Sequence, residues 1–553
     1  MVDLGNGFGF DTHAVYNQPS APTDYNLFES DSTIVNYLHG RGSGLDDLVG
    51  LGELLGKTQT IEAGRLANEH PPILRTHDRN GNRIDEVEFH PAWHSLMTLT
   101  IGEGVASYPD MADTRKDAHL KRAVGLYLVS QVEAGHGCPV SMTYAAVPTL
   151  RHSPELAEIW EPGFRSRNYD FGLKIPSSKA GLTCGMAMTE KQGGSDVRAN
   201  TTTATLTASG TYRLLGHKWF CSAPMSDAFM TLAQSRNGLS CFLVPRVLED
   251  GTLNGIRLQR LKDKVGNRSN ASSEIELAGA VGHLVGEEGR GIKTILEMVG
   301  CCRLDSLIGA AAQMRQALVQ ALWFARRRSA FSSLLIEHDL MQNVLLDLIL
   351  ESEASSLMAL RMAHATDQSG IDEGESDLRR IGIAISKFLV CKRAPTFVAE
   401  AMECLGGSGY VEESLTARLY REAPLNGIWE GAGNVNALDT LRAMHRQPST
   451  VDALLSELSK SRGFINSYDG RLDELEARLV GLEVSEWNAR QLVGRLGLLL
   501  QSHLMIENSM PELAAVFVES RLGESWGAPT IGCLPKIPES LRKGAIEAAS
   551  LGL

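Results

Sequence analysis

The sequence predicts a fold of the α+β class that is mainly α, with one β domain set between helical regions. Apolar residues recur at helical spacing before residue 183. A Thr-rich segment with alternating character follows at 201–222, and long Ala- and Leu-rich segments return after Glu287. Because a period near 3.6 indicates helix and a period of 2 indicates strand, this order predicts helices, then a sheet, then helices again.

The N-terminal region, 1–182, is predicted to be a helical domain that begins with an irregular arm. Gly and Pro are frequent in the first 25 residues, which favours irregular backbone. Helical spacing is clear in 48–57 and 118–135. In the second of these segments apolar residues recur every four positions from Leu120 to Val132, which predicts one buried stripe.

Residues 183–283 are predicted to form a compact, mostly antiparallel β domain. A Ser-Gly pair in the middle of the Thr-rich segment 201–222 gives a turn signal between two alternating runs. The segments 239–246 and 271–280 are also typical of strands, because they combine alternation with β-branched residues.

A four-helix-type bundle domain is predicted for 284–447. The segments 304–329 and 340–365 are rich in apolar residues and contain no Pro, which favours long helices. Residues 370–376 are predicted to be a polar, acidic connector, and another helix is expected over 378–404.

An additional helical domain is predicted for 448–553, with its boundary at Pro448. Leucines at 472, 475, 479 and 482 form a helical stripe within it. The length of 553 residues independently favours three to four domains. The four predicted parts agree with that number.

The composition excludes several classes of protein. Charged residues make up 22% and the formal net charge is −13, so the chain resembles a globular protein and not one whose whole surface binds phosphate. Nine cysteines occur at irregular spacing without a CxxC pair, so neither a disulfide framework nor a zinc site is expected. No signal peptide or membrane span is recognisable, and a cytoplasmic location is expected.

Four short motifs contain the residues suited to chemistry. They are GMAMTEKQGGSDV at 185–197, GHKWFCS at 216–222, LGGSGY at 405–410 and NGIWEGAGN at 426–434. Glycines allow backbone N–H groups to approach a ligand closely, and an indole can stack on a flat ring. Each motif alone also has a purely structural explanation, as a turn, a packed tryptophan, a helix C-cap and a helix first turn.

The order and spacing of the four motifs resemble the acyl-CoA dehydrogenase family of flavoproteins over about 30–445. The matching strings are Thr189-Glu190 with Gly194-Ser195-Asp196, Lys218-Trp219, Gly406-Gly407-Ser408-Gly409-Tyr410, and Ile428-Trp429-Glu430-Gly431. EAGRLAN at 62–68, FHPAWH at 89–94 and FVAEAME at 397–403 resemble the alkylation-response branch of this family, as does the added region after Pro448. That branch is tetrameric and is reported to bind double-stranded DNA.

The resemblance implies a mechanism in which a carboxylate removes the α-proton of an acyl-CoA or related thioester while FAD accepts the β-hydride. The match places that carboxylate at Glu430. In one branch of the family the base stands just before an arginine in the first bundle helix. Here that arginine is Arg303 and Cys302 precedes it, so Glu430 remains the sole candidate. Arg303 and Glu430 are the implied substrate residues.

The resemblance also implies which residues contact FAD. Thr189 and Ser195 would meet the flavin or its ribityl-phosphate arm, Trp219 would cover a flavin face, and Ser222 would lie near N5. A neighbouring subunit of a homotetramer would share the adenine end. The full implied set is Met188, Thr189, Gly194, Ser195, Trp219, Phe220, Ser222, Arg328, Phe331, Gln342, Gly406, Gly407, Gly409, Ile428, Trp429, Gly431 and Asn434.

Departures from the family pattern leave other readings open. Ser332 replaces a usual Gly, Cys221 a usual Thr, Glu403 a usual Gln and Ala432 a usual Thr. These changes leave FAD binding expected but favour a sluggish or specialised activity. The alternatives are a stress-response flavoprotein that binds DNA, and a flavin enzyme acting on a small amine or nitro compound.

Charge disfavours the DNA alternative. Residues 449–553 contain ten Lys and Arg against fourteen Asp and Glu. A net charge of −4 is poor for a domain that binds phosphates.

Overall fold

The computed structural model describes residues 12–44, 46–109, 117–481, 485–523, 530–550 and 552–553. The N-terminal part is mainly helical. Its elements are α1 (Ser32–His39), α2 (Asp46–Gly56), α3 (Thr58–Glu69), β1 (Ile73–His77), β2 (Arg83–Glu88), α4 (Pro91–Gly102), α5 (Ala118–Val132), α6 (Gly137–Leu150) and α7 (Pro154–Phe164). The predicted helices at 48–57 and 118–135 are confirmed as α2 and α5.

The hairpin β1–β2 was not predicted in this mainly helical region. Asp78 closes its turn, because the Asp78 carboxylate accepts hydrogen bonds from the backbone N–H groups of Asn80 and Asn82. Gly81 has a φ of 88°, a conformation that glycine adopts without strain. The Asn-Gly pair between two alternating runs is the hairpin signal that the sequence carried.

The central part is a seven-stranded sheet. Its strands are β3 (Cys184–Ala187), β4 (Thr203–Leu206), β5 (Tyr212–Ser222), β6 (Ala228–Ser235), β7 (Gly238–Pro245), β8 (Ile256–Leu261) and β9 (Ser272–Val285). β6, β4, β5, β9 and β7 pair in that order, and β7 pairs back with β6, so the strands close into a barrel. β3 and β4 pair with β6 in parallel and the other pairs are antiparallel, as the sequence predicted for most of the sheet.

The helical bundle follows. Its elements are α8 (Gly291–Ala325), β10 (Ser329–Ala330), β11 (Ser333–Leu334), α9 (Asp339–Gln368), α10 (Glu373–Glu403), α11 (Leu415–Glu422) and α12 (Gly433–Arg446). The first helix therefore starts earlier than predicted and ends before 329. The connector is shorter than 370–376, because Asp372 caps α10 by accepting a hydrogen bond from the backbone N–H of Glu375.

The C-terminal part is helical, as predicted. It contains α13 (Ser449–Ser459), α14 (Asn466–Gly481), α15 (Ala489–Asn508), α16 (Pro511–Leu522) and α17 (Glu539–Ala549). Leu472 and Leu475 of the predicted stripe are buried, whereas Leu482 lies outside the described residues.

One hydrophobic core joins the N-terminal helices, the bundle and the C-terminal helices. It extends along the chain from Tyr25 to Ala549. The contact between α15 and α10 is close, since a Cβ added at Gly497 would lie 2.9 Å from Leu389 Cδ2. The predicted boundary at Pro448 falls between α12 and α13. Across it the helices share a core, and the division into domains stays a prediction. None of the helices in the described ranges is long and apolar enough to cross a membrane.

Candidate active site

A cavity of about 1120 Å³ lies where the barrel meets the helices. Its walls come from α5, α6, α8, α12 and the ends of β3 and β5. Among the residues predicted from the motifs, the cavity brings together Met188, Thr189, Gly194, Ser195, Phe220, Ser222, Arg303, Ile428, Trp429, Glu430 and Gly431.

Glu430 stands in a strained turn between α11 and α12. Its φ is 55°, in the left-handed region that non-glycine residues rarely adopt, and Gly431 follows with a φ of 100°. The Glu430 Oε2 atom is buried and has no hydrogen-bond partner among the described residues. Burial raises the pKa of Glu430 from 4.5 to about 7, although Lys387 and Arg303 act in the opposite direction.

Arg303 on α8 holds this turn from one side. Its Nε donates to the Glu430 carbonyl oxygen at 2.9 Å, and its Nη1 donates to Asp439 Oδ2 at 2.7 Å. Arg380 binds the same Asp439 carboxylate with both terminal nitrogens, at 3.1 and 3.0 Å. A network of charges therefore fixes the side chain of Arg303.

Lys387 on α10 holds the turn from the other side. Its Nζ donates to the carbonyl oxygens of Trp429 at 2.9 Å and Gly431 at 3.1 Å. The sequence analysis missed Lys387, because an isolated lysine in a long helix carries no motif that connects it to a turn 42 residues away.

The glycine-rich turn after β3 brings the backbone close to the cavity. A Cβ added at Gly194 would lie 2.4 Å from Thr189 Oγ1, so a larger residue does not fit without a shift. Ser195 and Arg198 line the cavity beyond this turn. Glu190 from the same motif has a structural role instead, because its buried carboxylate pairs with Lys218 at 2.8 Å.

On β5 the aromatic residue that faces the cavity is Phe220 and not Trp219. The pairing of β5 with β9 is irregular between Lys218 and Cys221, and past this irregularity Phe220 and Ser222 line the cavity while Cys221 is fully buried. Trp219 is not among the lining residues, and its ring instead lies 3.3 Å from the Lys262 ammonium group. The contact of Trp219 with a flavin face stays a prediction.

The remaining predicted residues lie away from the described cavity wall. Arg328 donates to the Asn17 carbonyl oxygen, the Gln342 amide binds Ile336, and the Asn434 side chain accepts a hydrogen bond from Arg490. Phe331 is 93% exposed at the tip of the β10–β11 hairpin. Gly406, Gly407 and Gly409 form a short 3₁₀ turn after α10. The assignment of Arg328, Phe331, Gln342 and the Gly406–Gly409 loop to a shared adenine site stays a prediction, and so does the contact of Asn434 with the cofactor.

Part of the cavity wall is polar, and no sequence motif indicates this part. Asp305 on α8 lines it and accepts a hydrogen bond from Ser141 at 2.5 Å. The other oxygen of Asp305 pairs with the buried Arg122 of α5. Cys302, beside Arg303, also lines the cavity, and burial together with the neighbouring Glu430 raises the pKa of its thiol.

Three family descriptions together match most of the chain. The "Adaptive response protein AidB N-terminal domain" matches residues 17–171, the "Acyl-CoA dehydrogenase, middle domain" matches 185–280, and the "Acyl-CoA dehydrogenase, C-terminal domain" matches 289–445.

Two curated relatives extend this result. The "Putative acyl-CoA dehydrogenase AidB" of Escherichia coli (strain K12) is 43% identical over 519 residues, which cover 93% of this chain and 95% of that protein. "Acyl-CoA dehydrogenase family member 11" of Caenorhabditis elegans is 31% identical over 74% of this chain and 68% of that protein.

Two solved structures have the same fold over most of their length. Caenorhabditis elegans ACDH-11 in complex with C11-CoA superposes with a TM-score of 0.82 at 26% identity, covering 93% of this chain and 94% of that one. The structure described as "Bd2924 apo-form" gives a TM-score of 0.81 at 28% identity, covering 89% and 100%. The chain therefore belongs to the acyl-CoA dehydrogenase family, and within it to the branch represented by AidB.

Proposed function

We propose that this protein is an FAD-dependent acyl-CoA dehydrogenase in which Glu430 removes the α-proton of an acyl thioester. One observation carries the proposal. A carboxylate with a pKa of about 7 and an unpartnered oxygen faces a cavity large enough for a cofactor and an acyl group. Such a group is ionised in part near neutral pH and is basic enough to accept a proton. Membership of the acyl-CoA dehydrogenase family supports the same reaction.

The residues that line the cavity fit FAD. Phe220 offers a flat apolar surface, and Ser195 and Ser222 offer hydroxyl groups. Arg198 adds a positive charge suited to the pyrophosphate. When bound, FAD supplies the acceptor for the hydride that leaves the β-carbon.

The chain's own residues would perform the proton transfer. Burial of the turn excludes water, which strengthens Glu430 as a base by raising its pKa. Removing the α-proton places negative charge on the thioester oxygen, and that charge would be favoured by the positive charges of Arg303 and Lys387. Their hydrogen bonds to the turn also hold the Glu430 carboxylate towards the cavity.

The test is an anaerobic titration of the purified protein with a panel of acyl-CoA thioesters of different chain length. We expect a yellow protein whose oxidised-flavin absorbance falls with one part of the panel. A flavin that no thioester reduces would contradict the proposal. Fast reoxidation of the reduced flavin in air would favour the amine or nitro-compound alternative.

The pH dependence of kcat/KM follows from Glu430. Only the deprotonated carboxylate accepts a proton, and its pKa is raised from 4.5 to about 7, so activity should rise with pH through a midpoint near 7. A series of initial rates between pH 5 and pH 9 measures it. A midpoint close to the ordinary value of a glutamate would show that this carboxyl is not the base.

DNA binding is expected to be weak or absent. Besides the acidic balance of 449–553, several of its cations are paired with carboxylates. These are Lys460, Arg462, Arg471, Arg521, Arg542 and Lys543. Filter binding of double-stranded DNA at several salt concentrations is the measurement. Tight binding at low salt that weakens steeply as salt is added would refute this expectation.

A further inference from the structure

The carbonyl groups of the turn Trp429–Gly431 are all bound by cationic side chains. Lys387 binds the first and the third through one ammonium group, at 2.9 and 3.1 Å. Arg303 binds the second, which belongs to Glu430 itself, at 2.9 Å. The two carbonyls that flank Glu430 therefore converge on a single nitrogen atom.

This convergence matters because the conformation of Glu430 is strained. A residue with a side chain and a φ of 55° persists only where its surroundings hold it. The Lys387 ammonium bridges the residues before and after Glu430, so any rotation of the Glu430 backbone would break at least one of its two hydrogen bonds. Asn436 assists by donating to the Gly431 carbonyl oxygen at 2.5 Å.

Burying the Lys387 ammonium group costs free energy, and its hydrogen bonds to this turn offset that cost. The residue is 1% exposed, and a buried ammonium group is normally paired with a carboxylate. In the part of the chain that the structure describes, Lys387 forms no ion pair within 4 Å, and its hydrogen bonds go to the two carbonyl oxygens. Glu430 is the carboxyl group whose charge acts on it.

The charged and titratable groups around Glu430 come from four elements. Lys387 of α10 and Arg303 of α8 favour the ionised carboxylate. The thiols of Cys302 on α8 and Cys138 on α6 also face it, and burial raises the pKa of both. Asp439 on α12 pairs with Arg303. Arg303 therefore shares its charge between Asp439 and Glu430, whereas Lys387 makes no ion pair with a carboxylate among the described residues.

We propose that Lys387 is a positioning residue that clamps the two carbonyl groups flanking Glu430 and thereby fixes both the direction of its carboxylate and the charge around it. The inference deepens the proposed function and rests on it, because a clamp for Glu430 has a catalytic purpose only if Glu430 is the base.

The experiment compares Lys387→Met, which removes both the charge and the hydrogen bonds, with Lys387→Gln, which removes the charge but keeps an amide donor. Lys392→Met is the matched control, because Lys392 lies on the same helix, contacts the start of α12 near Gly433 and is exposed. Infrared titration of protein labelled with ¹³C-glutamate follows the Glu430 carboxyl, which is assigned by its absence in Glu430→Gln. Hydrogen exchange of amides 429–433 follows the turn.

We expect the titration midpoint of Glu430 to rise by about 1 in both Lys387 variants, since an opposite charge nearby is lost. Amide exchange in the turn should be faster in Lys387→Met and closer to wild type in Lys387→Gln. Lys392→Met should match the wild type in both measurements.

Three outcomes test the role of Lys387 as a clamp and the role of Glu430 as the base. An unchanged midpoint and unchanged exchange in both Lys387 variants would overturn the inference. Loss of the native melting transition in both would also overturn it, because Lys387 would then support the whole fold and not this turn. A shifted midpoint without a matching shift in the pH dependence of kcat/KM would support the clamp but refute Glu430 as the base, and with it the proposed function.

Discussion

Glu430→Gln should lower kcat/KM for an acyl thioester by about 10² to 10⁴-fold, the usual contribution of a general base. Glutamine has nearly the same shape as glutamate, so the turn and its hydrogen bonds to Arg303 and Lys387 should remain. The amide oxygen cannot take up the α-proton, and the reaction loses its acceptor. Stopped-flow measurement of flavin reduction isolates this step, and the spectrum of the bound flavin should stay near that of the wild type.

Glu422→Gln is the matched control for this prediction. Glu422 is also a buried glutamate, and burial raises its pKa to about 7 as well. It lies on α11, however, and is not among the residues that line the described cavity. We expect its variant to reduce the flavin at the wild-type rate. Equal rates for Glu430→Gln and wild type would remove Glu430 as the base.

The comparison between these two glutamates shows what the sequence could and could not reveal. The motif around 426–434 singled out Glu430, and the structure places Glu430 on the cavity wall. No motif surrounds Glu422, and its raised pKa comes first from burial and then from the neighbouring Glu133 carboxylate, while Arg418 acts in the opposite direction. A perturbed pKa is a property of the folded environment, so the sequence alone does not give it.

The β5 strand shows a second limit. The family resemblance implies that Trp219 covers a flavin face, and this assignment stays a prediction. The cavity is lined by Phe220 and Ser222 of the same motif, and Trp219 is not among its lining residues. The pairing of β5 with β9 is irregular between Lys218 and Cys221, and such an irregularity changes which side chains face the cavity without any local signal in the sequence.

The boundary at Pro448 shows a third limit. The sequence predicts a domain boundary there, just after the end of the family resemblance at about residue 445. In the structure, however, helices on both sides share one hydrophobic core. Contacts such as Arg361 with Glu457 and Arg521 with Asp347 join α9 to the C-terminal helices. Such pairs link residues far apart in sequence, so no local pattern announces them.

Arg521→Met should lower the free energy of unfolding by about 3–5 kcal/mol, because it leaves buried carboxylates without their cation. Arg521 on α16 is 6% exposed and binds Asp347 and Glu351 of α9, both buried. Arg393 still neutralises Glu351 in the variant, so the larger loss should come from Asp347. Guanidinium denaturation measured by circular dichroism gives the change.

Arg462→Met controls for the loss of an ion pair as such. Arg462 pairs with Asp473 at 2.7 Å, but both side chains are accessible to water, and exposed pairs contribute only about 0–1 kcal/mol.

The pH dependence of the free energy of unfolding provides a second check. Arg393 and Arg521 lower the pKa of Glu351 in the folded state, so their stabilisation is present at neutral pH and is lost as Glu351 becomes protonated in acid. The difference in the free energy of unfolding between wild type and Arg521→Met should therefore become smaller as the pH falls. An Arg521→Met variant as stable as Arg462→Met at neutral pH would show that the C-terminal helices do not depend on this contact.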